Sequence, residues 1–137
     1  MKLKLVLWIG LIIMGIIFAT IVWWAFAQDP FRNPKDALQD FLTAHNRAED
    51  QLMDPLILCG RRVAPLVIAE IQNKDMHRRR YAIGFLGNGH YSEALPVLEK
   101  ILSDGSEIFY FRADALIAIF QIAPNRAREL APKYVSG

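Results

Sequence analysis

Most of the features that would name a reaction are missing from this sequence. It has one cysteine, Cys59, placed in mid-chain, which excludes an intrachain disulfide, a CxxC pair and a lipoprotein anchor at the start. The histidines at 45, 77 and 90 have no mutual metal-ligand spacing, and His45 with Glu49 is an i,i+4 pair without the further ligands a metal needs. None of the serines at 92, 103, 106 and 136 sits in a G-x-S-x-G elbow or an S-x-x-K motif. No segment sustains the alternation of a half-buried strand. An excess of one charge is also missing beyond the first few residues. Of 16 Lys and Arg, two are Lys2 and Lys4, while all 14 Asp and Glu follow residue 27, so the rest of the chain is neutral. A neutral domain presents no general field for nucleic acid. The expectation is a protein with no catalytic, metal or cofactor site.

What is present begins with an apolar run. Residues 5–27, LVLWIGLIIMGIIFATIVWWAFA, carry no charge, and Thr20 is the only polar side chain. A helix of that length rises about 35 Å, enough for a hydrocarbon core of roughly 30 Å. Trp8 lies near one end and Trp23 and Trp24 near the other, where amphipathic rings favour the headgroup boundary. A transmembrane helix in contact with the lipid bilayer is therefore expected over 5–27, after a basic tail, 1–4. The alternative is a signal peptide cut after Ala25-Phe26-Ala27, ahead of Gln28. The run exceeds the usual h-region of about 7–15 residues, and the tryptophans crowd the cleavage site. As a signal anchor, the chain has its N-terminus in the cytoplasm and its domain on the extracytoplasmic side. Lys2 and Lys4 nevertheless stand against Arg32 and Lys35, so the positive-inside count is nearly balanced.

Beyond a linker, 28–33, residues 34–137 read as one helical domain. Asn33-Pro34 and Asp54-Pro55 are cap-then-proline helix starts. Leu38, Phe41, Leu42, His45, Ala48 and Leu52 recur at helical steps, predicting one long first helix. Gly60 should end the short helix LILC, and a further helix is expected from Arg61 to about Asn73. Asp75 should cap the next helix and Gly87 to Gly89 should stop it. Helices at Ala94–Leu102, Glu107–Ile122 and Asn125–Ala131 complete an all-α reading. In RRRYAIGFLGNG, residues 78–89, no strand precedes the glycines and no Lys-Ser or Lys-Thr follows, so a phosphate loop is excluded.

The same stretch contains a repeat. Arg79-x-x-Ala82-x-x-x-Leu86 recurs as Arg112-x-x-Ala115-x-x-x-Ile119 at an offset of 33, and Pro65-Leu66-Val67 recurs as Pro96-Val97-Leu98 at an offset of 31. A period near 30 with two helices per unit is that of an α-solenoid. Through RRYAIGFLG, ALPVLEKILSD and FRADALIAIF the chain resembles the HEAT-repeat family, in particular its short bacterial type first described in phycobilisome lyases. The resemblance covers about residues 60 to 125. It implies a short HEAT-like α-solenoid of about two to two and a half helix pairs, with arginine–aspartate ladders between units. In that family an aspartate follows an early proline by eight positions, as Asp104 follows Pro96, whereas Pro65 and Asp75 are ten apart.

Two surfaces are candidates for function. Arg61, Arg62, Arg78, Arg79 and Arg80 would form a basic ridge if the units stack, or else one arginine joins the ladder and the others are solvated. The helix of Glu107–Ile122 keeps no continuous polar face, because Arg112 and Gln121 lie on opposite sides of it. Phe109, Phe111, Ile119 and Phe120 are accordingly expected to meet a protein partner or a second copy, unless the last helix covers them. The resulting expectation is a membrane-anchored, non-enzymatic scaffold or accessory subunit of a membrane complex, with no nucleic-acid partner. The alternatives are a lyase-like role handling a chromophore or cofactor, which only the resemblance suggests, or a soluble exported binding protein if the first segment is cleaved.

Overall fold

The computed structural model describes Gly10 and residues 12–22, 32–45 and 47–135. Residues 12–22 form helix α1, whose large apolar side chains from Ile12 to Ile21 are exposed. Among the described residues no helix is long and apolar enough to cross a membrane. The basic tail, Trp8, Trp23, Trp24, the Ala27–Gln28 junction and most of the linker lie outside the described residues.

The domain that follows contains only helices and turns among its described residues, in the order α2 (Pro34–Thr43), α3 (Asp54–Cys59), α4 (Ala64–Glu70), α5 (Arg79–Asn88), α6 (Leu95–Ser103), α7 (Phe109–Ile122) and α8 (Pro124–Val135). The all-α expectation holds. The first start also holds: the Asn33 side chain accepts from the Lys35 N–H at 3.0 Å, ahead of Pro34. Gly60 closes α3 with φ +64, a value open to glycine without steric cost.

Several boundaries differ from expectation, each for a local reason. The predicted first helix stops at Thr43, because Ala44 turns extended at ψ 117. Residues 49–51 then form a separate 3-10 turn. A second 3-10 turn, Gly60–Arg62, replaces the start of the helix expected from Arg61, and α4 begins only at Ala64. The residue ahead of α5 is Arg78, in left-handed geometry at φ 62, and not Asp75. Helix α5 runs through Gly87 to Asn88. Near the C-terminus the chain continues as helix through Pro132, so α8 has 12 residues and outruns the expected Asn125–Ala131 at both ends.

The elements pack mainly on near neighbours in sequence. Helix α2 lies against α3 and α4, α4 against α5, α5 against α7, and α7 against α6 and α8. One apolar core runs through them, with Phe41, Leu56, Ile71, Ile83, Leu86, Leu98 and Ile119 fully buried. The two aligned segments occupy equivalent places, since Ala82, Leu86, Ala115 and Ile119 are all inaccessible. Helices α5 and α7 approach closely at Gly87, where an added Cβ would stand 2.8 Å from the Ala118 Cα. Gly87 therefore serves packing and does not stop the helix.

Candidate interaction surface

The arginines are explained first by the helix ends they face. The last carbonyls of a helix have no partner within it, and they carry partial negative charge. Arg79 Nε donates to the Ile71 carbonyl at the end of α4 at 2.7 Å, and Arg112 Nε donates to the Leu102 carbonyl in the last turn of α6 at 3.0 Å. The offset of 33 is thus a repeated clasp, one arginine closing the helix before it. Arg78 does the same for α2, its guanidinium donating to the carbonyls of Phe41 and Ala44. His90, itself at φ 52, closes α7 through Nδ1, 2.7 Å from the Gln121 carbonyl.

Arg79 is only 2 % exposed. Its Nη1 donates to Glu107 Oε2 at 2.8 Å, and its guanidinium lies 5.0 Å over the Phe111 ring. The carboxylate joining Arg79 between units is therefore Glu107, where the resemblance implied an aspartate. Asp104 instead accepts from Lys74 Nζ at 2.6 Å and from the Ser106 N–H and hydroxyl. These bonds, that from Lys74 first, hold the Asp104 carboxyl well below the usual carboxylate range. Glu99 is likewise lowered, chiefly by its hydrogen bond from Arg126.

The five arginines expected as a ridge have separate duties. Arg61 pairs with Glu93 at 2.8 Å and lies 5.2 Å over the Tyr91 ring, Arg80 pairs with Asp114 at 2.9 Å, and Arg78 and Arg79 are clasps. Arg62 is exposed at the end of the 3-10 turn before α4. Of the expected solvated arginines, Arg78 departs furthest, because α2 recruits it.

The outward face of α7 is different in kind. At about 100° per residue, Phe109, Ala113, Leu116, Ile117 and Phe120 fall within about 100° of arc, opposite the buried Ala115, Ala118 and Ile119. Phe109 is 77 % exposed, Ile117 57 % and Phe120 50 %, and no charged residue lies on the stripe. Helix α8 flanks this stripe without burying it. Leu116, Ile117, Phe120, Ala127, Arg128 and Ala131 line an apolar hollow of about 280 Å³ between the two helices. Of the four residues expected at the interface, Phe109 and Phe120 lie on this surface. Ile119 is fully buried core, and Phe111 is half-buried under the Arg79 guanidinium. Ile117 was missed, although its place beside Ala113, at one edge of the stripe on the helical wheel, was readable.

A second concavity, of about 350 Å³, lies between α5 and α7. Its lining includes Arg80, Tyr81, Gly84 and Asn88 from α5, and Asp114, Ile117 and Gln121 from α7. Tyr81 Oη donates to Glu49 Oε1 at 2.5 Å, and that hydrogen bond raises the phenol above its ordinary value. Gln121 Nε2 donates to Asn88 Oδ1 at 2.8 Å. The offset of 33 between Asn88 and Gln121 was a signal in the sequence that the clasp pattern concealed. Cys59 is buried, its Sγ 3.9 Å from the Arg32 carbonyl. Among the described residues no three His, Cys, Asp or Glu side chains come together as a metal would require. In comparisons with known proteins, the chain matches no family model, no curated protein and no solved structure.

Proposed function

We propose that the protein is a membrane-tethered, non-enzymatic scaffold or accessory subunit, built as a short HEAT-like solenoid and acting through protein contacts. The observation that carries this reading is the exposed apolar stripe on α7. A side chain such as Phe109 or Ile117 forgoes roughly 1.5–3 kcal/mol of burial while it faces water, and contiguous exposed apolar surface marks interaction sites. Exposed aromatics at the centre of such a surface are the usual anchors of an interface. The recurring arginine clasps of Arg79 and Arg112 support the repeat reading. For the tether, support comes from the uncharged run 5–27 and from α1, whose apolar side chains face away from any core. The tether would supply location and the domain a partner surface on the extracytoplasmic side.

Intact-mass measurement on the chain extracted from native membranes tests the tether. The expected species retains residues before Gln28, while a mature species beginning at Gln28 would replace the anchor with a soluble exported form. Changing Phe109 or Phe120 to serine tests the surface, and at least one variant is expected to lose its partner while keeping near-normal thermal stability.

A further inference from the structure

Outside α1, the large apolar side chains left exposed among the described residues fall in two places. One is the surface around α7, from Ile108 to Phe120, and the other is Ile57 and Leu58 on α3. In that six-residue helix Pro55, Leu56 and Cys59 are buried. Ile57 and Leu58 therefore lie on the side turned away from the core, 53 % and 38 % exposed. Ile57 also lines, with Met53, Phe85 and Tyr91, an apolar hollow of about 230 Å³ beside the end of α5.

What covers this face follows from where the chain enters the domain. Arg32 is the first described residue after α1, and its carbonyl lies 3.9 Å from Cys59 Sγ, so the chain arrives beside the end of α3. The uncharged run ends at Ala27. The five Cα steps from Ala27 to Arg32 reach at most about 18 Å, at roughly 3.3–3.6 Å per residue. With the run embedded, the end of α3 is thus held close to the edge of the hydrocarbon. The nearby charges do not single out an anionic surface, since Arg32 pairs with Asp40 and Arg61 with Glu93. Two apolar side chains would hold a free protein only weakly. A tether makes the contact intramolecular, and the high effective concentration lets so small a surface dock.

We infer that the Ile57–Leu58 face of α3 docks on the same bilayer that holds the run 5–27, through apolar burial and without need of anionic lipid. The inference rests on the tether of the proposed function and gives the domain an orientation on the membrane. The end of α3 lies lowest, and α8, packed on α7, lies farther out.

Cys59 is the sole cysteine, so Cys59→Ala leaves an introduced cysteine as the only label site. The full chain is reconstituted in phosphatidylcholine vesicles with and without a headgroup nitroxide, carrying a bimane at Ile57→Cys, Leu58→Cys or Lys133→Cys. Labels at 57 and 58 should lose most of their fluorescence to the nitroxide, while the label at 133 on α8 should lose little. Adding Leu58→Ser to the chain labelled at 57 should weaken the quenching at an unchanged melting temperature. Should Cys59→Ala fail to fold, the wild-type background serves, because Cys59 is only 4 % exposed. A chain absent from the floated vesicles overturns the tether and this inference with it. A chain that floats while 57, 58 and 133 are quenched alike overturns the inference alone. So does quenching confined to a label at Phe109→Cys, which would put the α7 stripe on the lipid instead.

Discussion

Arg78, Arg79 and Arg112 finish helices, and at the scale of single residues these clasps, together with ion pairs such as Arg80–Asp114, account for a sequence that looks locally basic. Three consecutive arginines, 78 to 80, meet three different partners: the end of α2, the end of α4 together with Glu107, and Asp114. Arg79 and Glu107 are both buried, so removing one charge strands the other. Arg79→Met is therefore expected to cost about 3–5 kcal/mol in urea unfolding, and the double variant Arg79→Met/Glu107→Leu should recover much of that loss. Exposed pairs carry a pH dependence of definite sign. The folded carboxyls of Asp104 and Glu99 lie below their ordinary values of 3.8 and 4.5. Their stabilisation is thus complete above those values and is lost as pH falls through the folded ones. The melting temperature should decline on acidification below about pH 4.5, and Lys74→Ala should reduce the Asp104 share of that decline, the Ser106 hydrogen bonds keeping the rest.

For the helices, what was legible in the sequence depended on whether one face or two faces set the boundary. The Asn33 cap ahead of Pro34 placed the start of α2 correctly, because a cap is a local hydrogen bond, whereas α3 begins at Asp54 itself with no side-chain cap. The ends of α2 and α5 were not readable in the same way. Arg78, more than thirty positions on in the chain, meets the last carbonyls of α2. Gly87 is explained only by the neighbouring Ala118. Gly87→Ala should accordingly destabilise by about 1–3 kcal/mol through overpacking against α7, whereas Gly84→Ala, whose Cβ would meet no atom within 4 Å, should stabilise. On α7, composition revealed that no polar face survives, but not which apolar residues are core. Helices α5, α6 and α8 cover its other sides, leaving the stripe of Phe109, Ile117 and Phe120. Phe109→Ser and Phe120→Ser should each shift stability by no more than about 0.5 kcal/mol, as surface substitutions do. Ile119→Ser, at a fully buried position, should unfold the domain. Thermal melts of the three variants separate surface from core directly.

Across the whole molecule, the sequence was most informative where physics is one-dimensional. The helical class and the period near 30 come from spacing along the chain, and the clasps of Arg79 and Arg112 give that period a structural meaning. The groove between α5 and α7 was not foreseen, because it arises from Glu49, Tyr81, Asn88 and Gln121 meeting across three elements. The proposal is that a chain with an uncharged run at 5–27, a neutral domain and an apolar stripe on one helix sits at a membrane and holds another protein. The most direct measurement of that claim is the size of the native assembly containing the chain, by sedimentation in mild detergent, for wild type and Phe120→Ser. The account predicts that the wild-type chain sediments well above the size of one detergent-bound copy, and that Phe120→Ser falls to that size with an unchanged melting temperature. A wild-type chain that already sediments as a single copy would contradict it, as would a Phe120→Ser chain that stays in the larger assembly.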